Sequence, residues 1–117
     1  MLSTSNVPYT AFIEYLKFEK RYSPHTIRAY HDDLELFFQY INKNFDSPPL
    51  QEISSSFVRS WLAYQKEKGD TAKSMNRRIS SLKSFFKYEM KTGNLESTPM
   101  ISIVSPKLSK RLPSFVE

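Results

Sequence analysis

Residues 73–91 read KSMNRRISSLKSFFKYEMK. At the helical period of about 100° per residue, Met75, Ile79, Leu82, Phe85, Phe86 and Met90 gather on one side of this stretch. Lys73, Asn76, Arg77, Ser80, Lys83, Ser84, Lys87 and Lys91 gather on the other. An apolar stripe of that width needs a core to pack against, so the segment is a bundle helix. Its polar side holds five cations, two serines and an amide, with no acid among them. A face that serves solubility alone usually mixes signs to gain i, i+4 pairs, and a face of cations alone suits a polyanion such as DNA or RNA. The competing reading is a solvated Lys/Arg face.

Outward from this helix the chain reads as three more. From Pro8, the apolar residues Phe12, Ile13 and Leu16 predict a first helix ending near Tyr22. Ser23 can then cap backbone amides, and Pro24 fits the first helical position because its missing N–H would be unpaired there anyway. The second helix so begun carries Ile27, Tyr30, Leu34, Phe37, Phe38 and Ile41 on one face and runs through Asn42. Residues 42–51, with Pro48-Pro49, form a loop. Ser54 or Ser55 caps a third helix bearing Phe57, Val58, Trp61, Leu62 and Tyr64, closed by KEKGD at 66–70 with Gly69 in the C-cap conformation. Asp70 or Thr71 caps the basic fourth helix, which stops at Thr92-Gly93-Asn94. Beyond it, Pro99, Pro106 and Pro113 punctuate a stretch without helical period that contains Lys107, Lys110 and Arg111, and it reads as an extended basic arm or linker.

Composition narrows the function classes. The 117 residues are one domain's length, and the formal charge of +5 favours an anionic partner. Residues 1–60 hold 6 Lys/Arg against 7 Asp/Glu and residues 61–117 hold 11 against 5, so the halves carry −1 and +6 and the second half should meet the partner. The absence of Cys excludes disulfides and thiolate chemistry and suits a reducing cytoplasm. No apolar run approaches the roughly 20 residues that span a bilayer. Two Gly against 9 Phe, 7 Tyr and 1 Trp argue against phosphate-binding glycine loops and for helices packed through large rings.

No catalytic constellation can be assembled. His25 and His31 lack the Cys or clustered carboxylates of a metal site, and no cofactor is expected. His25 and Arg28, three apart, could share a phosphate, although such spacing is common. Asp32, Asp33 and Glu35 read as solvated charge plus an internal ion pair. Ser80 and Ser81 in mid-helix mean close packing or phosphate contact. Trp61, Phe57 and Tyr64 could stack bases as single-strand binders do, but at helical spacing they read as core.

Taken together, SPHTIRAYHDDLELFFQYI at 23–41, KSMNRRISSLKSFFKYEMKTGNL at 73–95, TP at 98–99 and SPKLSKRLP at 105–113 closely resemble the N-terminal core-binding domain of tyrosine recombinases of the phage-integrase and Xer type. The resemblance runs in the family's order from Phe12 to Pro113. It implies an all-α, four-helix SAM-like bundle over residues 1–104, and a basic linker over 105–117 leading toward a catalytic domain that this chain lacks. Such a domain forms half of a C-shaped clamp on double-stranded DNA, its second and fourth helices meeting the major groove. By position, Thr26, Arg28, Lys73, Asn76 and Arg77 match the family's DNA-contacting positions, and Lys83 falls where the family usually has an Arg near the phosphates. Lys87, on the same face, and Lys107, Lys110 and Arg111 in the linker complete the expected DNA-binding set.

The family's catalysis needs two Arg, a Lys, a His-x-x-Arg and a nucleophilic Tyr in a larger C-terminal domain. His25-x-x-Arg28 is not that motif, because SPHTIRAY matches the core-binding helix. Thr98 stands where the family usually has Asn before the proline. The expectation is a non-enzymatic, cytoplasmic DNA-binding module, monomeric in isolation and joined by other protomers in the parent's synaptic complex. A small helix-turn-helix-like regulator and a helical protein-interaction bundle share the same composition.

Overall fold

Local chemistry sets the helix ends, and packing then moves several of them. In the computed structural model, which describes residues 8–103, the elements are α1 (Thr10–Phe18), α2 (Pro24–Phe45), a short 3-10 turn (Leu50–Glu52), α3 (Ser55–Glu67) and α4 (Ala72–Lys91). There is no strand among the described residues. The all-α, four-helix bundle read from the sequence is the observed fold.

Helix α1 ends four residues before Tyr22. Arg21 takes a left-handed φ of 55°, which an α-helix cannot continue through, and Tyr22 N–H turns back to the Leu16 carbonyl at 3.2 Å. Ser23 accepts the Thr26 N–H at 3.3 Å with Pro24 at the first position of α2, as the capping argument requires. Helix α2 continues past Asn42 to Phe45, whose ring stacks on Phe57 of α3 at 4.2 Å with 10° between the planes. Asp46, with φ 61°, then closes it.

Ser54 occupies the cap position of α3, but its hydroxyl engages Ser56 at 2.9 Å and gives no side-chain cap. Thr71, rather than Asp70, caps α4 by accepting the Ser74 N–H at 3.1 Å. Gly69 (φ 101°) and Gly93 (φ 89°) follow α3 and α4 in the left-handed region, where an L side chain would be strained.

The core is aromatic. Phe12 of α1 meets Phe85 of α4 edge to face at 5.7 Å, and Phe37 of α2 meets Trp61 of α3 in the same way at 5.2 Å, the geometry that the ring quadrupole favours. Trp61 is therefore core, Phe57 is half-buried against Phe45, and Tyr64 lies exposed beside Tyr40.

Met90 corrects the apolar stripe of α4, because it is 39% exposed while Glu89 is 3% exposed. Seven residues make nearly two full turns, so Glu89 falls almost under Leu82, whereas Met90 swings to the stripe's edge. The buried Glu89 carboxylate accepts the Asn94 side-chain N–H at 2.8 Å.

The residues after α4 also depart from expectation. Residues 95–103 are folded back, not extended. Met100 and Ile103 are buried with the core, and Ser55 donates its hydroxyl to the Pro99 carbonyl at 2.6 Å. Arg59 donates to the Ser102 hydroxyl at 2.8 Å. Burial of two apolar side chains three residues apart and the two hydrogen bonds to α3 hold a segment with no helix of its own. The expected linker at 105–117 lies outside the described residues.

Candidate nucleic-acid interface

Burying Ile79, Leu82, Phe85 and Phe86 fixes the rotation of α4 and turns its other side to solvent. Lys73, Arg77, Lys83, Lys87 and Lys91 are all exposed there, as is Ser80, with Asn76 and Ser84 half-buried. The only acid in the helix, Glu89, is inside. The result is a row of five exposed cations without an exposed carboxylate on the same helix.

Both arginines of α4 converge on one carboxylate of α2. Asp33 has no solvent exposure. It accepts from Arg77 Nη2 at 2.7 Å and Nε at 3.3 Å, from Arg78 Nη1 at 3.0 Å and from the Ser81 hydroxyl at 2.7 Å. Arg78 also donates through Nε to Asp70 at 2.7 Å. Its side chain is 13% exposed, that of Arg77 53%. The hydrogen bond to Asp33 raises the Arg77 pKa above its already high ordinary value, so Arg77 is a permanent cation.

The sequence reads Asp32, Asp33 and Glu35 as solvated charge plus an internal ion pair, and Arg78 falls on neither of the two faces of α4. The ion pair exists, but Asp33 is buried. The signal was its register, three residues after Tyr30 and four before Phe37. A carboxylate on that stripe has to find cations inside. Ser81 is likewise buried by this pairing, whereas Ser80 is exposed.

The other expected contacts divide between two surfaces. Lys87 lines a groove of about 290 Å³ with Ser84 and Lys91 of α4, Tyr30 of α2 and Tyr15 of α1, and Lys91 Nζ lies 5.5 Å from the Tyr15 ring centre. Arg28 instead lines a groove of about 620 Å³ shared with Ile13 and Lys17 of α1, and leans toward Asp32 at 3.8 Å. The exposed Thr26 hydroxyl accepts from Ser23 at 3.0 Å as part of the α2 cap. Lys107, Lys110 and Arg111 lie outside the described residues. Among the described residues no group of three or more His, Cys, Asp or Glu side chains comes together to hold a metal, and no helix is long and apolar enough to cross a membrane.

A family model described as "Phage integrase, N-terminal SAM-like domain" matches residues 10–93, which span α1 through α4. The chain belongs to this family. Similar proteins carry the name tyrosine recombinase XerC. That of Bacillus pumilus is 35% identical over 106 residues, covering 90% of this chain and 34% of the relative. That of Anoxybacillus flavithermus is 34% identical over 113 residues, covering 95% and 37%. That of Rickettsia bellii is 38% identical over 104 residues, covering 86% and 34%. This phage-integrase SAM-like chain thus spans about a third of the length of the curated relatives it matches. No solved structure matches it significantly.

Proposed function

We propose that this chain is the DNA-binding N-terminal domain of a site-specific tyrosine recombinase. It grips one side of a double-stranded recombination site while the chemistry resides in a separate catalytic domain of the parent protein. The observation that carries the reading is the α4 face, where Lys73, Lys83, Lys87 and Lys91 stand in solvent beside the Asp33-paired Arg77 and the helix's one acid is buried. Each phosphate neutralised by such a cation releases condensed counterions, which drives duplex binding without regard to sequence.

In this reading α4 enters the major groove from its N-terminal half, with Lys73, Asn76 and Arg77 nearest the base edges and Lys83 and Lys87 on phosphates. Thr26 and Arg28 of α2 flank it, and Lys107, Lys110 and Arg111, outside the described residues, add to the cations available to the duplex. The domain by itself catalyses nothing and needs no cofactor; other protomers join it only in the parent's synaptic complex. Membership in the family of recombinase N-terminal domains supports this over a free-standing regulator.

The test pairs two kinds of variant. Lys83→Ala and Lys87→Ala should weaken binding to any duplex and leave thermal stability nearly unchanged, since both side chains are exposed. Leu82→Ala should cost about 2–5 kcal/mol of stability by opening a cavity in the core. Wild-type DNA affinity in the Lys83→Ala/Lys87→Ala double variant would remove this face as the interface.

A further inference from the structure

Arg77 and Arg78 are neighbours in sequence and differ in what they have left to give. A guanidinium has five N–H donors arranged on fixed edges. Arg78 commits Nε and Nη2 to Asp70 and Nη1 to Asp33, and is nearly buried. Arg77 lays only its Nε/Nη2 edge along the two oxygens of Asp33, a bidentate pair. Its other edge, formed by Nη1 and the outer hydrogen of Nη2, makes no hydrogen bond to a described residue and belongs to a side chain 53% exposed.

The carboxylate that holds Arg77 is itself held. Arg78 Nη1 and the Ser81 hydroxyl both donate to Asp33, and Asp33 is fully buried, so it cannot follow the guanidinium outward. The Arg77 charge is also offset at close range by Asp33, which makes it a poor source of long-range attraction for phosphates compared with Lys73, Lys83 and Lys87. What survives pairing is direction: a planar fork with two parallel donors and little rotamer freedom left to lose on binding.

We propose that Asp33 is a positioning residue that locks one edge of Arg77 so that the other edge is presented to the O6 and N7 acceptors of a guanine in the major groove. The inference rests on the DNA-binding reading above and assigns its sequence preference to an α2–α4 pair. A phosphate offers a similar pair of acceptors, so the test separates the two.

The 117-residue chain, wild type and variants, is used to select from a pool of duplexes randomised over ten base pairs, and retained sequences are compared with the input. The expected result is guanine enrichment at one position for wild type, lost in both Arg77→Lys and Asp33→Asn. Each variant should lose roughly 5- to 150-fold in affinity for the selected duplex, and the double variant should be no weaker than either single one. Lysine keeps the charge but has no second edge, so its affinity for a scrambled duplex should persist.

A second measurement needs no variant. In nitrogen-15 spectra of the wild-type chain, the Arg77 Nε–H should exchange more slowly than that of Arg28 and hold its shift when the selected duplex is added. Guanine enrichment surviving in Arg77→Lys, or an Arg77 Nε–H exchanging as fast as that of Arg28, overturns the inference. A uniform loss over all sequences also overturns it, by making Arg77 a phosphate contact, yet leaves DNA binding intact. Failure of the wild-type chain to retain any duplex overturns both.

Discussion

Arg78 donates from Nε to the Asp70 carboxylate at 2.7 Å, tying the residue two places ahead of α4 to the helix's second turn. With Nη1 on Asp33 at 3.0 Å, the cation is compensated by one acid from α2 and one from the α3–α4 connection.

Breaking this compensation should be costly. Removing one partner of a buried pair leaves a desolvated charge, so Asp33→Ala and Arg78→Ala should each lower stability by about 3–5 kcal/mol. Arg28→Ala, which touches only the exposed pair to Asp32 at 3.8 Å, should cost less than about 1 kcal/mol. Urea unfolding of the three variants gives the comparison. Equal, small losses would mean that the Asp33 cluster is hydrated in solution.

The segment after α4 should contribute to stability through two side chains and not through its length. Met100 is 3% exposed and Ile101 81%. Met100→Ala should therefore destabilise by about 2–5 kcal/mol, while Ile101→Ala should stay within about 0.5 kcal/mol of wild type. Thermal or urea unfolding distinguishes them, and indifference to both substitutions would mean that residues 95–103 do not hold to α3.

Tyr9 links stability to alkaline pH. Its pKa is raised above the ordinary value of 10.0, first by burial and then by the hydrogen bond it donates to Glu35. The unfolded chain releases this proton near pH 10 and the folded chain does so later. The stabilisation from this group is thus whole below pH 10 and declines as pH rises beyond it. Tyr9→Phe should lose about 1–3 kcal/mol at neutral pH and show a shallower decline above pH 10. Parallel declines in both proteins, measured by urea unfolding between pH 7 and 11, would contradict the assignment.

Much of this architecture was legible because it is local. The two faces of α4 follow from a period of 3.6, and the start of α2 follows from what a serine and a proline do to unpaired backbone groups. What is not local depends on partners far along the chain. Asp33 meets its cations 44 and 45 residues later, and Ser55 meets the Pro99 carbonyl 44 residues later. No local period encodes either contact. Met90 gives up its place on the stripe for a different reason: Glu89, seven residues after Leu82, lies closer to the centre of the stripe, and at the helix end one residue's rotation decides which side chain is inside. At the interface, the exposed lysines of α4 were readable as a charge pattern. The constraint on Arg77 was not, since it is set by a carboxylate on another helix.

The central claim, that the α4 face is built for duplex DNA, is tested most directly by titrating a random-sequence duplex with the chain at several salt concentrations. Binding by the isolated chain should fall in the non-specific range of about 10⁻⁴ to 10⁻⁶ M at physiological salt. With roughly four to six phosphates neutralised at about 0.9 per contact, log K against log salt should slope near −4 to −5. A flat salt dependence, or no binding at low salt, would contradict the account.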